Sequence, residues 1–306
     1  MSRFSLALLA LAVALAGAAP LRAQSVDGTG SVPPTPNCPS CESWNEPQRP
    51  FRVFGSMYYV GTHGLAAVLI TSSEGHVLID GGLPESAPRI VAAIRELGFR
   101  IEDVKLLLNS HVHFDHAGGL ARLQRLSGAS VAASPSSAEV LRRGTSGRDD
   151  PQFGILERIA PLTRVQVVAD GAVLHVGPVA VTAHFTAGHT PGGTSWSWRS
   201  CEGARCVDVV YADSQTPVSA DAFLFTRSDA YPTALRDFEH GFMTLEGLRC
   251  DILLTPHPDA SNLWTRLAQR DSGNADALID PSACGRYAKG ARERLARRVA
   301  EEKARS

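Results

Sequence analysis

The sequence predicts an α+β fold in which two mixed β-sheets pack together with helices on their outer faces, an αββα sandwich. Two observations lead to it. Short β-rich runs recur in both halves of the chain, and helical segments with one apolar face stand between or after them. Apolar residues make up 44% of the 306 residues, enough for the core of one large domain or two small ones.

The N-terminus has the pattern of a secretory signal peptide, which we assign to residues 1–23. One arginine is followed by an apolar stretch over residues 4–19 that ends at Pro20, with Ala18 or Ala23 before the cleaved bond. The stretch is short for a spanning helix, so no stable membrane anchor is expected. The mature protein is therefore expected to be periplasmic.

The next segment, residues 24–50, is rich in Ser, Pro, Gly and Asn and predicts an irregular arm. Residues 51–306 are expected to form a single domain. In its first half, helices are predicted over 88–97 and from about residue 116. The strands predicted in that half cover residues 58–60, 66–71, 76–80, 104–108 and 130–133.

The second half repeats the mixture of strands and helices. A helix is predicted over 231–248, and a C-terminal helix has Tyr287, Ala291, Leu295 and Val299 on one face. The predicted strands cover residues 164–168, 172–176, 179–185, 195–198, 207–211 and 251–255. The formal net charge of −1 does not favour nucleic acid as a partner.

Six cysteines in an exported chain are expected to form disulfides. The turn-like segment between Cys201 and Cys206 can close a hairpin tip, and Cys38 and Cys41 can close a tight loop. An alternative reading of the second pair as half of a zinc site lacks another CxxC motif. The predicted pairs are Cys201–Cys206, Cys38–Cys41 and, by what remains, Cys250–Cys284.

The segment 111–116, with the sequence His-Val-His-Phe-Asp-His, places four metal-ligand side chains at the end of a predicted strand. Residues two apart point the same way in extended backbone, so His111 and His113 can reach one ion. Asp115 and His116 can then reach another. The alternative is a chance polar cluster at a helix start, with Asp115 as a capping residue.

Two more histidines follow predicted strands at Gly- or Pro-rich turns, His189 and His257. Strand ends of layered α/β folds are where sites assemble. Together with the segment 111–116 they supply five histidines and one aspartate, enough for two zinc ions with open coordination positions.

The motif at 111–116 matches the HxHxDH signature of the metallo-β-lactamase superfamily. The segments 109–119, 183–192, 211–214 and 253–262 resemble those of subclass B3 metallo-β-lactamases, over a region from about residue 51 to the C-terminal helix. The resemblance implies the metallo-β-lactamase fold and two zinc ions per chain. It places His111, His113 and His189 on the first ion, and Asp115, His116 and His257 on the second.

The same resemblance implies hydrolysis of the amide bond of β-lactam antibiotics, and hence resistance to penicillins, cephalosporins and carbapenems. The protein is expected to be a monomer. A hydroxide held between the ions would attack the ring, and Asp115 would orient it as the catalytic residue. Substrate contacts are expected from Ser214, Thr216, Gln152 and Phe153. Asp80 resembles a residue that supports the histidine loop, although it can also be a turn-forming aspartate before glycines.

One ambiguity concerns residues 213 and 214. Other subclasses have a cysteine ligand where this chain has Ser214, whereas glyoxalase II and related thioesterases bridge both metals with an aspartate in this region. Asp213 pointing between the ions would favour a thioester or lactone hydrolase, and Ser214 in that place would favour the lactamase. A zinc-binding protein without catalysis is the remaining alternative.

Overall fold

A computed structural model describes residues 1, 35 and 38–305. The predicted signal peptide lies, apart from Met1, outside the described residues, and so does most of the stretch 24–37. Among the residues that are described, none of the helices is both long and apolar enough to cross a bilayer.

The first sheet has seven strands in sequence order. Strands β1 to β4 form an antiparallel meander, and β5, β6 and β7 continue it in parallel. Parallel neighbours require crossover connections, which here contain helices. The strands are β1 Phe51–Phe54, β2 Met57–Tyr59, β3 Val68–Ile70, β4 His76–Ile79, β5 Val104–Leu108, β6 Ser130–Ala133 and β7 Val165–Val167.

The second sheet has five strands in the order β12-β11-β10-β9-β8. Strands β8 to β11 pair antiparallel, and β12 joins β11 in parallel, so this sheet is also mixed. The strands are β8 Val173–Val176, β9 Val179–Phe185, β10 Thr194–Glu202, β11 Arg205–Tyr211 and β12 Ile252–Leu254.

The helices cover the outer faces of the two sheets, which confirms the predicted αββα sandwich. One buried apolar cluster lies between the sheets, a second joins the first sheet to α2, α4 and α5, and a third joins the second sheet to α6 and α8. The helices are α1 Cys41–Trp44, α2 Ala87–Glu96, α3 Phe114–Ala117, α4 Leu120–Ser127, α5 Pro135–Arg143, α6 Ala234–Gly247, α7 Leu263–Asp271 and α8 Ala283–Ala304.

The structure departs from the sequence prediction in several local elements. The arm expected to be irregular contains the one-turn helix α1, in which the Trp44 N–H donates to the Ser40 carbonyl. The helix expected from about residue 116 is split into α3 and α4. Helix α5 was not predicted, although Ser134 caps it by accepting from the Ser137 N–H and Pro135 occupies its first turn.

The six cysteines form the three predicted disulfides, Cys38–Cys41, Cys201–Cys206 and Cys250–Cys284. Cys201 and Cys206 face each other across the β10–β11 hairpin. Cys284 lies in the first turn of α8, so the third disulfide ties that helix to the segment just before β12.

Candidate metal centre

The six predicted ligands come from four segments, each of which follows or contains the end of a strand. The β5 strand leads into His111 and His113, and the one-turn helix α3 carries Asp115 and His116. The connection from β9 to β10 carries His189, and the turn after β12 carries His257. Both sheets therefore deliver ligands to the same place.

The structure brings these side chains together as two sets. In each set one possible ligand atom per residue lies within 4.8 Å of the others, and the sets are His111, His113 and His189, and Asp115, His116 and His257. The rings of His111 and His116, one from each set, have centroids 4.5 Å apart. The sets are therefore adjacent, and this donor set is that of a divalent metal site, typically zinc.

Hydrogen bonds on the far edge of the rings fix which nitrogen is available to a metal. Nδ1–H of the buried His111 donates to the Asp213 carboxylate over 2.7 Å, and its buried Nε2 has no hydrogen-bond partner among the described residues. A buried nitrogen lone pair without a partner is costly unless a ligand completes it. This orphaned atom fits a metal ion.

Backbone carbonyls perform the same role for two other rings. Nδ1–H of His189 donates to the Thr216 carbonyl over 2.8 Å. Nδ1–H of His257 donates to the Gly64 carbonyl over 3.3 Å. In both rings the backbone carbonyl engages Nδ1, so Nε2 is the nitrogen that faces the set.

The remaining ring of the first set is oriented by Asp150, which no sequence motif indicated. Nε2–H of His113 donates to the Asp150 carboxylate over 3.1 Å, which leaves Nδ1 for a metal. The same carboxylate accepts the backbone N–H of Gln152 over 2.8 Å. The buried Asp150 therefore orients a candidate ligand and the loop next to it. Its position two residues before Gln152, a predicted substrate contact, is the sequence signal that could have identified it.

The second set is arranged around Asp115. Its Oδ2 lies 3.1 Å from Nε2 of His116 and 3.3 Å from Nε2 of His257. Ligands at zinc–nitrogen distances in a tetrahedron lie about 3.3 Å apart, so these separations suit a shared ion. Burial alone would raise the pKa of Asp115, but the neighbouring His116 and His257 lower it well below its usual range.

Asp80 supports the histidine loop from behind. It follows β4 with φ of 60°, and its buried carboxylate accepts from the Ser110 N–H at 2.8 Å and the Ser110 hydroxyl at 2.6 Å. The Tyr211 hydroxyl donates to it as well, at 2.8 Å. Since Ser110 precedes His111, these bonds fix where the ligand loop begins. Positive φ in a non-glycine residue costs energy, which such contacts offset.

The Asp213 carboxylate lies behind His111 rather than between the two sets, as its contact with Nδ1 shows. Burial raises the pKa of Asp213 well above its usual range, and burial likewise raises the pKa of Asp80. Buried carboxyl groups short of positive charge are stabilised in the ionised form by a nearby cation. The surroundings of the two sets therefore also favour metal binding.

The four residues expected to contact substrate differ in how close they lie to the two sets and in how exposed they are. Nε2 of Gln152 is 3.4 Å from Nδ1 of His113, so its amide borders the first set. Phe153 is 46% exposed and lines a cleft with Phe223. Ser214 is buried, and the Thr216 hydroxyl is 3.3 Å from Nδ1 of His189.

The N-terminal arm reaches the second set, which the sequence did not indicate. The rings of Trp44 and His257 have centroids 5.2 Å apart. The Trp44 carbonyl accepts the N–H of Gly64, whose own carbonyl holds His257. The arm therefore supports a ligand through one intervening peptide.

Comparisons with known proteins agree with this geometry. The family model described as the metallo-beta-lactamase superfamily matches residues 61–279. The structure is similar to Rm3 metallo-beta-lactamase, with a TM-score of 0.86 and 56% identity, covering 88% of this chain and 100% of that one. It is similar to MEM-A1, a subclass B3 metallo-beta-lactamase isolated from a soil metagenome library, with a TM-score of 0.84 and 52% identity over 86% and 100% of the chains.

A third similar structure is SMB-1 metallo-beta-lactamase bound to 2-mercaptoethanesulfonate, with a TM-score of 0.82 and 43% identity over 85% of this chain and 99% of that one. Among curated proteins, N-acyl homoserine lactonase of Bacillus cereus is 34% identical in a match that covers 17% of this chain. The chain spans 30% of the length of that lactonase. The similarity to the solved lactamases extends over nearly the whole described chain.

Proposed function

Because this chain belongs to the metallo-β-lactamase superfamily, we propose that it hydrolyses the β-lactam amide bond of antibiotics with two zinc ions. One observation carries the proposal. The Asp213 carboxylate is engaged by Nδ1 of His111, so it is turned away from the position in which a thioesterase would use it to bridge two metals. The high identity to metallo-β-lactamases over most of the chain agrees.

The metal ions, when bound, would act as Lewis acids on the lactam carbonyl and lower the pKa of bound water to roughly 7. His111, His113 and His189 would hold the first ion, and Asp115, His116 and His257 the second. The neutral state of His111 and His189 supports this assignment. Burial, together with the charge of neighbouring histidines, lowers the pKa of His111 well below its usual value and that of His189 to about 3.

Asp115 is the catalytic residue in this proposal. Its carboxylate stands at the second set, where one oxygen contacts both histidines of that set. It would orient the attacking water, and no protein side chain needs to act as the nucleophile. Positioning of this kind is a major source of rate enhancement.

The substrate would lie over both sets, between the loop that carries Gln152 and Phe153 and the segment that carries Ser214 and Thr216. We infer that the two hydroxyl groups donate to the substrate carboxylate, and that the amide of Gln152 contacts the ring carbonyl. The exposed ring of Phe153 would cover an apolar substituent.

Lactone hydrolysis is the second candidate function, because a short part of the chain matches an N-acyl homoserine lactonase. It shares the two-metal site and differs in the shape of the substrate. Its support covers a small part of the chain, and the position of Asp213 does not favour the related thioesterases.

The test is turnover of a penicillin, a cephalosporin, a carbapenem, an acyl homoserine lactone and a glutathione thioester, each with and without a zinc chelator. We expect β-lactam turnover that the chelator abolishes and added zinc restores. Faster turnover of the lactone or thioester than of the β-lactams would contradict the proposal, and chelator-insensitive turnover would reject the metal mechanism.

We further propose that the protein acts as a periplasmic monomer, with the three disulfides as support for export.

A further inference from the structure

The last turns of α8 contain a buried carboxylate. Glu302 is 2% exposed, and an unpaired buried charge would be strongly unfavourable. Its Oε1 accepts the Phe225 N–H at 3.1 Å, and its Oε2 accepts the Thr226 N–H and the Thr226 hydroxyl, both at 2.9 Å. Burial alone would raise the pKa of Glu302, but these bonds and Arg298 lower it, so the carboxylate is ionised at neutral pH.

Arg298, one helical turn earlier, pairs with Glu302 and makes further contacts with the same segment of chain. Its Nε donates to Glu302 over 2.6 Å. Its Nη2 donates to the Ser219 hydroxyl over 2.8 Å and to the Phe223 carbonyl over 3.0 Å. The guanidinium also lies over the ring of Phe225, 5.3 Å from its centroid. The Arg298–Glu302 pair therefore holds the segment 217–226 along most of its length.

That segment has no regular secondary structure, so its position depends on such bonds. It begins directly after Thr216, whose carbonyl orients His189. In its middle, the Ala220 N–H donates to the Pro151 carbonyl over 2.9 Å. Pro151 stands between Asp150, which orients His113, and Gln152. The segment therefore contacts the Gln152 loop directly and is joined to the partner of His189 through the chain at Thr216.

We propose that Arg298 and Glu302 are positioning residues for the metal centre: from the end of the C-terminal helix they fix the segment 217–226, and through it the orientation of His189 and the Gln152 loop. The proposal concerns ligand geometry first, and only its kinetic consequence rests on the proposed function. The competing interpretation is that the pair merely anchors the end of α8.

The test compares Glu302→Gln with Glu239→Gln as a matched control. Glu239 lies on α6 and accepts from Arg292 of α8, so the control weakens a contact of the same helix that does not touch the segment 217–226. The readouts are amide hydrogen exchange, zinc affinity by chelator competition and the d–d spectrum of the cobalt-substituted protein. We expect Glu302→Gln to speed exchange in 217–226 about tenfold, weaken binding of one zinc about tenfold and shift the spectrum, while the control changes none of these.

A second variant covers the case in which Glu302→Gln fails to fold. Thr226→Val removes one hydrogen-bond donor to Glu302 and changes no residue of α8. We therefore expect smaller changes in the same direction in amide exchange, zinc affinity and the cobalt spectrum. Faster exchange confined to α8, with unchanged zinc affinity and spectrum in either variant, would overturn the proposal. These readouts need no substrate, so a wild-type protein that hydrolyses no β-lactam would reject the proposed function and leave this inference standing. With β-lactam turnover, we expect KM to rise more than kcat falls.

Discussion

Oδ1 of Asp213 lies 2.7 Å from Nδ1 of His111, on the edge of the ring opposite the orphaned Nε2. The carboxylate accepts a hydrogen bond from Nδ1–H and so fixes the tautomer in which Nε2 is available to a metal. A bridging aspartate would need its oxygens on the other side of this ring. The relationship therefore gives Asp213 an orienting role and leaves the space between the two sets to other groups.

We expect Asp213→Asn to weaken zinc binding at the first set by about 10- to 100-fold, because an amide is a poorer acceptor for the imidazole N–H than a carboxylate. Zinc affinity by competition with a chelator measures this. Asp208→Asn is the control, since Asp208 lies on β11, the strand that leads to Asp213, and pairs with the exposed Arg249. An unchanged affinity in Asp213→Asn would contradict the orienting role.

The two sets can be separated by removing one ligand from each. We expect two zinc ions per chain in the wild type, one tightly bound ion in His189→Ala, and one in His257→Ala, because each change leaves the other set complete. Metal analysis after dialysis measures the stoichiometry. If His257→Ala lost both ions, the sets would not be independent, and if it lost neither, the second set would not bind metal.

The fold and the candidate ligands could be predicted from the sequence because both depend on local patterns. Alternating and periodic apolar runs indicate strands and helices, and the side-chain spacing in 111–116 is itself the ligand spacing. Helix α7 was not predicted, and Leu263 is its one buried residue.

The partners that orient the ligands could not be predicted in the same way. Asp150 is 37 residues from His113, and Gly64 is 193 residues from His257, so no local pattern connects them. The Gly64 contact is a backbone carbonyl, which has no residue signature. Whether Asp213 or Ser214 faces the metal sets depended on the backbone direction after β11. Tyr211 and Asp213 are two residues apart, and both point toward buried polar groups, Tyr211 toward Asp80 and Asp213 toward His111.

Thr216 offers a way to separate substrate binding from metal binding. Its backbone carbonyl orients His189, whereas its hydroxyl is proposed to contact substrate. We expect Thr216→Val to leave zinc affinity unchanged and to raise KM for β-lactams about tenfold, the effect of losing a hydrogen bond to a charged group. Steady-state kinetics with the zinc-loaded protein measures it. A fall in zinc affinity with unchanged KM would assign the hydroxyl to the ligand instead.

The buried histidines predict an acid-sensitive metal-free protein. Burial, with His113 nearby, lowers the pKa of His189 from 6.5 to about 3. Between pH 6.5 and pH 3 the unfolded chain binds a proton at this histidine that the folded chain does not. The contribution of neutral His189 to the free energy of unfolding is therefore complete above pH 6.5 and is lost as the pH falls. For His189 alone the free energy of unfolding should drop by about 2 kcal/mol from pH 7 to pH 5. Urea unfolding with chelator present measures this, and His189→Ala should show a weaker dependence.

The disulfide between Cys250 and Cys284 should contribute more to stability than the one between Cys201 and Cys206. The first closes a loop with a sequence separation of 34, and the second one of 5. In the chain-entropy model a longer loop restricts the unfolded chain more, here by about 2 kcal/mol. Removing the pair Cys250 and Cys284 by serine substitution should therefore lower the free energy of unfolding by about that much more than the same change at Cys201 and Cys206. Urea unfolding of the two double variants measures the difference, and equal losses would show that loop length does not control these contributions.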